Sequence, residues 1–529
     1  MTLSLIQCFG LATFIAFVML EGYGYGYWMI SRPVIGGALI GLMMGDVRTG
    51  LLVGGSVELM FMGVLPIGGA VPPNAPLAGI IGTAFAIMAG GKPEVGIALA
   101  LPVGLLGQFM VMLGWNINIY WEHRADRYIA LGDTRNVEIT HMMGLVVWFC
   151  LHFLVAFAAL RFGGPGVAKL VAHIPAWLST GMKAASAILP AVGMAMLMRM
   201  MNAGKYWPFL LAGLVAAVSL HLDVLSIALI GLAIAVGMLV LGSPQEKSGT
   251  SASEQLAETT EKPMLDRKDL WGIWWRSLFS MTTINYERFC ALGFCYAMIP
   301  ALKRYYPNKD DYKEALARSN EFYNCHPFTG NLVMGVNLAL EEEKSRTGLV
   351  TPETISATKA ALMGPLSGIG DSLFKATFMT IFAAIGAGMC LQGNWFGPIV
   401  FIVPNVLLNI FSRWYFLADG YKYGIKLVAR VQESRLTEKF LQAATIIGLM
   451  VTGAMIVGFV SLPIALKFTS AGKTIAIQDL LDKLYPSLLP VAITLIYYRI
   501  LGKTSRSGIY WCILLSFAIG IFGKLFHVL

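Results

Sequence analysis

The sequence predicts an all-α integral membrane protein with many spans, and three observations carry that prediction. Of 529 residues, 57% are hydrophobic and only 13% are charged, whereas soluble proteins carry roughly 25% charged residues. The mean hydropathy is +0.68. Several apolar runs are close to the roughly 20 residues that a helix needs to cross a bilayer, or longer. Examples are residues 3–20, 142–160, 209–241, 443–466 and 508–526, and about four or five spans are expected after residue 377.

The charges and cysteines narrow the class further. The net charge of +9 is spread over loops beside apolar segments, which suits anionic lipid headgroups at a cytoplasmic face. The sequence contains no basic patch with interleaved aromatic residues of the kind that would predict nucleic-acid binding. The seven cysteines lie singly, so we expect reduced packing residues, no metal site and no cofactor. No basic residues precede the first apolar run, which is expected to be a retained span rather than a signal peptide.

One polar segment divides the chain. Residues 243–263 are rich in Ser, Thr, Gln and Glu and predict a flexible linker. It would join a membrane domain at 1–242 to a second at 264–529. Residues 264–279 mix Arg and Lys with three tryptophans, which is typical of a segment lying along the cytoplasmic membrane interface. The first domain is expected to hold one polar loop, at 122–138.

Each half contains an apolar stretch interrupted by glycine and proline. The first is GGAVPPNAPLAG at residues 68–79, and the second is MGPLSGIGDSLF at 363–374. Proline removes a backbone donor and glycine disfavours helix. Non-helical backbone at membrane depth survives where it lines a cavity, and a broken segment in each half points to a transporter's binding site. An ordinary interhelical loop remains the alternative.

Polar residues near the first interruption are candidates for substrate binding. Glu58 has no basic residue within six positions, so its carboxylate needs a partner or a ligand. Asn74 lies inside the interruption, and Gln7 and Gln108 lie in apolar segments. We predict ligand contact for Glu58 and Asn74, with a structural hydrogen bond as the alternative, and regard both glutamines as weaker candidates.

The second half supplies five further candidates: Asn285, Glu287, His326, Asn331 and Asp371. Amides, carboxylates and an imidazole suit a polyhydroxylated ligand, because each sugar hydroxyl both donates and accepts a hydrogen bond. Without a dense Arg and Lys clamp, the set argues against an already phosphorylated substrate. No complete P-loop and no hydrolase or metalloprotease motif is present, so we predict no catalytic residue on this chain.

At this point the sequence resembles the mannose-family sugar phosphotransferase system (PTS) of bacteria. Residues 45–87, which include GDVRTGLLVGGSVELMFMGVLPIGGAVPPN, resemble the IIC subunit. Three segments resemble the IID subunit: NYERFCALGFCYAMIPALKRYYP at 285–307, NEFYNCHPFTGNLVMGVNLALEEEK at 320–344 and KAALMGPLSGIGDSLF at 359–374. The chain is thus expected to be a fused IIC and IID pair.

The resemblance implies an inverted-repeat pair with broken or re-entrant helices, an elevator-type moving unit and assembly as a homotrimer in the bacterial inner membrane. The sugar or sugar derivative would bind between the two portions and be phosphorylated inside the cell. Its phosphate would come through enzyme I, HPr and the phosphohistidines of separate IIA and IIB partners. Glu287 and His326 are the least firm site residues, since they would equally suit the surface that docks IIB.

Two departures from the family pattern bear on the substrate. The IIC pattern usually has an acid where this chain has Asn74. The IID pattern usually reads GDP followed by apolar residues and Trp, whereas Ser372 and Lys375 stand here. The added cation allows an acidic or amino-substituted sugar. Two other function classes stay open: an ion-driven carrier using Glu58 and Asp371 as coupling carboxylates, and a receptor or scaffold that does not transport.

Overall fold

The computed structural model is helical over most of the chain. It describes residues 3–64, 71–163, 175–201, 203–222, 224–241, 263–424, 436–470, 473–503 and 508–529. All but the last residue of the predicted linker, 243–263, lie outside the described residues.

The first half consists of ten described helices joined by short connections. In chain order they are α1 (Leu5–Tyr23), α2 (Pro33–Met44), α3 (Val47–Phe61), α4 (Ala75–Met88), α5 (Pro93–Leu131), α6 (Thr134–Ala158), α7 (Ala176–Ile188), α8 (Pro190–Met200), α9 (Ala203–Ser219) and α10 (Val224–Leu241). A short π-helical turn, Ala159–Gly163, extends α6.

The second half continues with eleven described helices and one hairpin. The helices are α11 (Arg267–Ser277), α12 (Ala291–Tyr305), α13 (Lys309–Ser319), α14 (Gly330–Thr347), α15 (Pro352–Gly370), α16 (Thr380–Leu391), α17 (Gly397–Tyr423), α18 (Leu436–Phe459), α19 (Ile477–Leu484), α20 (Leu488–Lys503) and α21 (Gly508–Leu525). Strands β1 (Lys467–Ser470) and β2 (Lys473–Ala476) pair antiparallel and add one hairpin to the otherwise helical fold.

Five described helices are long and apolar enough to span a membrane, or six if the bent pair α19 and α20 counts as one span. Two of the five, α1 and the α6 segment, match apolar runs of the sequence. The other three were not among those runs: α5, α17 and the 40-residue helix Pro352–Leu391. The run at 209–241 is divided, because α9 ends at Ser219 and α10 begins at Val224. The protein is therefore an integral membrane protein.

The polar stretch at 122–138, predicted to be a loop, is helical instead. α5 continues to Leu131 and α6 begins at Thr134. Only a tight turn separates them, with Gly132 in the left-handed region at φ +69°. The prediction failed because the stretch is amphipathic: Ala125 and Ile129 are buried one turn apart, while charged residues such as Arg124 and Arg127 are exposed on the other side of the helix.

The two halves share their core. The helices α9 and α10 of the first half pack on α18 of the second, α7 packs on α21, α8 on α20, and α3 on α16. Helices within a half also approach closely, as α2 and α3 do where a Cβ on Gly37 would lie 2.8 Å from the Cα of Gly54. Small residues allow such contacts between membrane helices. Neither half is a separate body.

The two interrupted segments have different outcomes. The first is a break, as predicted: α3 ends at Phe61 and α4 begins at Ala75, with Asn74 as its N-cap. The second is not a break. The α15 helix passes through Pro365 into a π-helical stretch, Asp371–Met379, and on into α16. Packed neighbours and π adjustments let a spanning helix tolerate proline and glycine, so their presence did not require a loop.

Candidate functional site

A cavity of about 160 Å³ lies between the two halves. The first half contributes the end of α1, the loop from α1 to α2, residues 71–76 and the middle of α5. The second half contributes the chain before α12, residues 324–327 and the start of the π-helical stretch. The cavity thus has an N-terminal wall and a C-terminal wall, and each of the two interrupted segments forms part of one.

Glu21 organises the loop of the N-terminal wall. Its carboxylate is buried and accepts hydrogen bonds from the backbone N–H groups of Met29 and Ser31, each at 3.0 Å, and from the Ser31 hydroxyl. The loop is strained, because Tyr27 and Met29 have φ of +59° and +67°, a region that non-glycine residues rarely adopt. The three hydrogen bonds to Glu21 help to stabilise this strained loop conformation beside the cavity.

Glu58 lies behind this wall and does not line the cavity. Its fully buried carboxylate forms an ion pair with Arg32. The Arg32 Nε donates to it at 3.1 Å and the Val34 N–H at 3.3 Å. Arg32 itself lines the cavity. In this structure Glu58 forms an ion pair that holds Arg32 in place.

Asn74 caps α4 and also faces the cavity. Its Oδ1 accepts from the Leu77 N–H at 3.0 Å, while its own N–H donates to the Gly104 carbonyl at 2.8 Å. Its Nδ2 is buried and has no hydrogen-bond partner among the described residues. Gln108 supports the same segment, because its Nε2 donates to the Val71 carbonyl at 2.6 Å. Gln108 does not line the cavity.

The C-terminal wall contains Asp371 and His326. Asp371 opens the π-helical stretch and pairs with Lys375 one turn on, at 2.9 Å. Gly370 allows close contact, since a Cβ there would lie 2.4 Å from the Cβ of His326. The ring of His326 stacks on Phe374 with centroids 5.5 Å apart. A π-helical segment at this point fits the frequent use of π-bulges at functional sites.

His326 presents a hydrogen-bond donor. Burial holds the pKa of its imidazole well below the usual range, and the charges of Lys375 and Arg413 act in the same direction. The ring is therefore neutral at physiological pH. Its Nδ1 accepts from the Phe328 N–H at 3.1 Å, so the proton is on Nε2. That Nε2 is buried without a hydrogen-bond partner among the described residues.

Three residues that line this one cavity each carry a buried donor without a hydrogen-bond partner among the described residues. The donors are the Nδ2 of Asn74, the Nε2 of His326 and the indole Nε1 of Trp115, whose residue is 5% exposed. A buried donor without an acceptor costs about 1–3 kcal/mol, so native proteins rarely keep several together. A ligand with several oxygen atoms would satisfy them. Both walls contribute, because Asn74 and Trp115 belong to the first half and His326 to the second.

Two cations at the cavity are paired. Lys375 pairs with Asp371, and Arg32 with Glu58, so neither cation is an excess charge at the site. Among the described residues, no three His, Cys, Asp or Glu side chains come together in a way that could hold a metal ion.

Two other predicted site residues lie in a polar cluster at the interface of the halves. The Asn285 Nδ2 donates to Glu122 at 3.1 Å, and its Oδ1 accepts from the N–H groups of Glu287 and Arg288. Glu287 lies 2.9 Å from the Nε2 of His123. These contacts join α5 to the chain before α12, away from the cavity lining.

The remaining two predicted residues are also elsewhere. Gln7 is exposed in the first turn of α1, where it forms a capping box with Ser4. The Asn331 Nδ2 donates to the Ser277 hydroxyl and the Arg413 carbonyl, both at 3.1 Å. Of the nine predicted residues, only Asn74, His326 and Asp371 line the cavity.

Sequence reasoning did not single out several lining residues. Glu21, Ser31, Arg32 and Trp115 were passed over, and Lys375 was noted only as a departure from a pattern. Glu21 carried a usable signal, because it is a carboxylate at the end of an apolar run. Trp115 carried none, since tryptophans in spanning helices are common and only the fold shows that its N–H is unpartnered.

Comparison with known proteins gives a result for each half. Residues 264–529 match the family model described as PTS system mannose/fructose/sorbose family IID component, and residues 5–237 match PTS system sorbose-specific IIC component. The mannose-specific EIID component of Escherichia coli K12 is 36% identical over 273 residues, 50% of this chain and 95% of that protein. The sorbose-specific EIID component of Klebsiella pneumoniae is 35% identical over 270 residues, 50% of this chain and 97% of that protein. The N-acetylgalactosamine permease IIC component 1 of Escherichia coli K12 is 31% identical over 239 residues, 44% of this chain and 88% of that protein.

Proposed function

We infer the function from one premise: the chain belongs to the mannose/fructose/sorbose family of PTS permeases, with the IIC and IID components in one polypeptide. It is accordingly a membrane permease for sugar transport. We propose that its substrate is an uncharged sugar, bound in the cavity between the two halves. Asn74, Trp115 and His326 would donate hydrogen bonds to the sugar oxygens, and Asp371 would accept from a hydroxyl.

The observation that carries this proposal is the set of three unpartnered N–H donors on one cavity. A sugar hydroxyl offers two lone pairs and one proton, so a hexose can satisfy all three donors and still donate to a carboxylate. The pairing of both cations that line the cavity, Arg32 and Lys375, favours an uncharged sugar over an acidic or amino-substituted one, although Lys375 alone suggested the latter pair. Glu58, Gln7, Gln108, Asn285, Glu287 and Asn331 are expected to act through structure rather than contact.

Phosphorylation is proposed to occur on partners. Permease components of this family work with IIA and IIB components, and we propose that these are separate proteins here, supplied with phosphate through HPr and enzyme I. The imidazole of His326 is buried and neutral, which suits a donor to the sugar better than a phosphate carrier. The sugar would leave the cavity as its phosphate, on the cytoplasmic side of a bacterial inner membrane.

We further propose the assembly that the family implies: an inverted-repeat pair, an elevator-type movement and a homotrimer. The interleaving of α9 and α10 with α18 supports a pair that works as one unit. Domains at 1–242 and 264–529, with a linker at 243–263, would fix a one-to-one ratio of the two components. A flexible linker of this length keeps the effective concentration of one half near the other high.

Uptake of radiolabelled sugars tests the proposal. Cells that carry this chain would receive a panel of neutral hexoses, amino sugars and sugar acids, with the IIA and IIB partners present or deleted. We expect one neutral sugar to accumulate as its phosphate only when IIB is present. Trp115→Phe, which removes one unpartnered donor, should lower that uptake, while Gln7→Ala on the exposed turn of α1 should not.

Two results would overturn the proposal. Accumulation of an unphosphorylated sugar without IIB, abolished by a protonophore, would establish an ion-driven carrier. Phosphate-dependent uptake of a sugar acid or an amino sugar alone would keep the family function and refute the uncharged substrate.

A further inference from the structure

Arg413 of α17 is a buried cation that the proposed sugar contacts do not use. It is 1% exposed, and the hydrogen bonds that its guanidinium forms with the described part of the chain all go to neutral oxygen atoms. These are the Asn409 Oδ1 at 2.8 Å, the Ser277 carbonyl at 2.9 Å and the Gly26 carbonyl at 3.5 Å. Burying a charge is costly unless it is paired and hydrogen-bonded. An arginine kept in such surroundings calls for a specific role.

Asn409 works with Arg413 on the same target. Its Nδ2 donates to the Gly26 carbonyl at 2.6 Å and to the Tyr27 carbonyl at 3.1 Å, while its Oδ1 receives the Arg413 bond. Two further bonds join the second half to this segment: the Gly26 N–H donates to Leu278 and the Thr282 hydroxyl donates to Gly24, both at 2.7 Å. The segment belongs to the first half in sequence but is fastened to the second.

The fastened segment leads directly into the N-terminal wall. Tyr27, Met29 and Ser31 line the cavity, and the left-handed φ of Tyr27 and Met29 must be over-determined by the surroundings to persist. Glu21 holds the far side of this loop through the N–H groups of Met29 and Ser31. Asn409 and Arg413 hold the near side, so the loop is fixed from both ends.

Arg413 also supports the C-terminal wall. Its guanidinium carbon lies 5.7 Å from the ring centroid of Phe328, a cation–π contact. The Phe328 ring in turn packs edge-on against His326 and Phe374, both at 5.0 Å. One side chain therefore reaches the backbone of one wall and the aromatic support of the other.

We propose that Asn409 and Arg413 are positioning residues for the sugar, which set the geometry of the cavity by holding Gly26 and Tyr27 against the second half. This inference rests on the proposed sugar site. Neither side chain touches the sugar. Because a displacement of about 1 Å in a binding site can cost much of its binding energy, loosening this fastening weakens sugar binding while the chain still folds.

The chain offers a matched control one turn earlier on the same buried face of α17. Asn405 is 6% exposed, and its Nδ2 donates at 2.7 Å to Phe401 of its own helix. Asn405→Ala removes a buried amide of the same kind without touching the loop. The comparison of Asn409→Ala with Asn405→Ala therefore separates the fastening of the loop from the loss of a buried asparagine.

The test measures the sugar Kd by calorimetry on purified full chain, together with thermal unfolding and the KM and kcat of sugar phosphorylation with IIA and IIB. Asn409→Ala is expected to raise Kd and KM about tenfold with kcat changed less than twofold. Asn405→Ala should leave Kd within twofold, although both variants lower the unfolding temperature. Arg413→Lys keeps the charge but loses the planar fork, and should raise Kd in the same direction.

Equal Kd values for Asn409→Ala and Asn405→Ala, with wild-type binding intact, would overturn this inference and leave the sugar site standing. A wild type that binds none of the sugars tested would overturn the site and this inference with it. If Asn409→Ala is not recovered in folded form, the Kd of Arg413→Lys decides: an unchanged value refutes the positioning role.

Discussion

The two walls of the cavity bring polar groups to membrane depth in different ways. The N-terminal wall is an interrupted chain, with a strained loop around Tyr27 and an extended segment at 71–74 that ends in the cap of α4. The C-terminal wall includes an uninterrupted helix that widens into π geometry at Asp371. Segments with three glycines each, but three prolines in the first and one in the second, thus gave a break in one half and a continuous helix in the other.

The position of proline accounts for the difference. Pro76 lies in the first turn of α4, where a missing N–H has no intrahelical partner to lose, and two prolines precede the cap. Pro365 lies inside α15, where packed neighbours keep the helix continuous. Proline therefore defines a helix start in the N-terminal wall and is merely accommodated in the C-terminal one.

The N-terminal wall has the ion pair of Arg32 with Glu58, and the C-terminal wall has that of Lys375 with Asp371. Substituting the carboxylates of these two pairs should produce the largest effects. Glu58→Gln leaves Arg32 buried without its anion, so we expect a loss of about 3–5 kcal/mol in unfolding free energy. Asp371→Asn also removes the anion of a buried cation, Lys375, and should in addition abolish most uptake, because Asp371 borders the cavity. Thermal unfolding in detergent and sugar uptake, measured on both variants, check the contrast.

The double variant Arg32→Gln and Glu58→Gln provides the control, since it removes both charges and should regain part of the stability. Equal losses of uptake per folded protein for Glu58→Gln and Asp371→Asn would show that the pairs do not differ in role.

His326 of the C-terminal wall should give the next largest effect. His326→Phe removes the Nε2 donor, and we expect about tenfold weaker sugar binding, equivalent to about 1.4 kcal/mol; His326→Gln keeps a donor and should lose less. Titration calorimetry with the transported sugar measures both. Equal affinity of the Phe variant and wild type would remove His326 from the site.

The same histidine predicts a pH dependence of stability. Its pKa is depressed in the folded protein, so below about pH 6.5 the unfolded chain takes up a proton that the folded one refuses. Its contribution is complete above that pH and is lost as the pH falls towards the folded-state pKa. Unfolding curves from pH 8 to pH 5 should show this loss in wild type and less of it in His326→Gln.

Substitutions at Asn74 of the N-terminal wall can separate its role as the N-cap of α4 from its proposed role in sugar binding. Asn74→Asp keeps a good N-cap oxygen but removes the unpartnered donor, so we expect three- to tenfold weaker sugar binding, by roughly one hydrogen bond, with stability nearly unchanged. Asn74→Ala should weaken binding as well and also cost about 1 kcal/mol of stability. Calorimetry and thermal unfolding of the two variants check this; loss of stability in both would mean that Asn74 acts through the fold.

Gln7 should give the smallest effect. Gln7→Ala removes one bond of an exposed capping box, worth about 0.3 kcal/mol, and sugar uptake is expected to stay within twofold of wild type. An uptake assay at limiting sugar concentration measures it. A severalfold loss would place α1 closer to the substrate route than its exposed first turn suggests.

Much of the fold could be predicted from the sequence, and less of the site. Apolar runs and the interruption at 68–79 identified the membrane class and the break before α4, because both are local properties. Partners of buried groups are not local: Glu58 meets Arg32 across 26 positions of chain, and Asn331 meets Ser277 across 54. Asn74, which lines the cavity, was a candidate on a local signal, because it stands within the break itself.

The shared core also governs how the chain is made. The helix α10 ends at Leu241, yet part of the surface it needs is α18, which ends at Phe459. At about 5–20 residues per second, a ribosome needs roughly 10–40 seconds to deliver that surface. During this interval the newly synthesised first half lies in the bilayer without α18 to pack against α9 and α10. That uncovered surface is open to quality-control proteases and to mispairing. Because both halves are in one chain, the second half is synthesised directly after the first, beside it and in a one-to-one ratio.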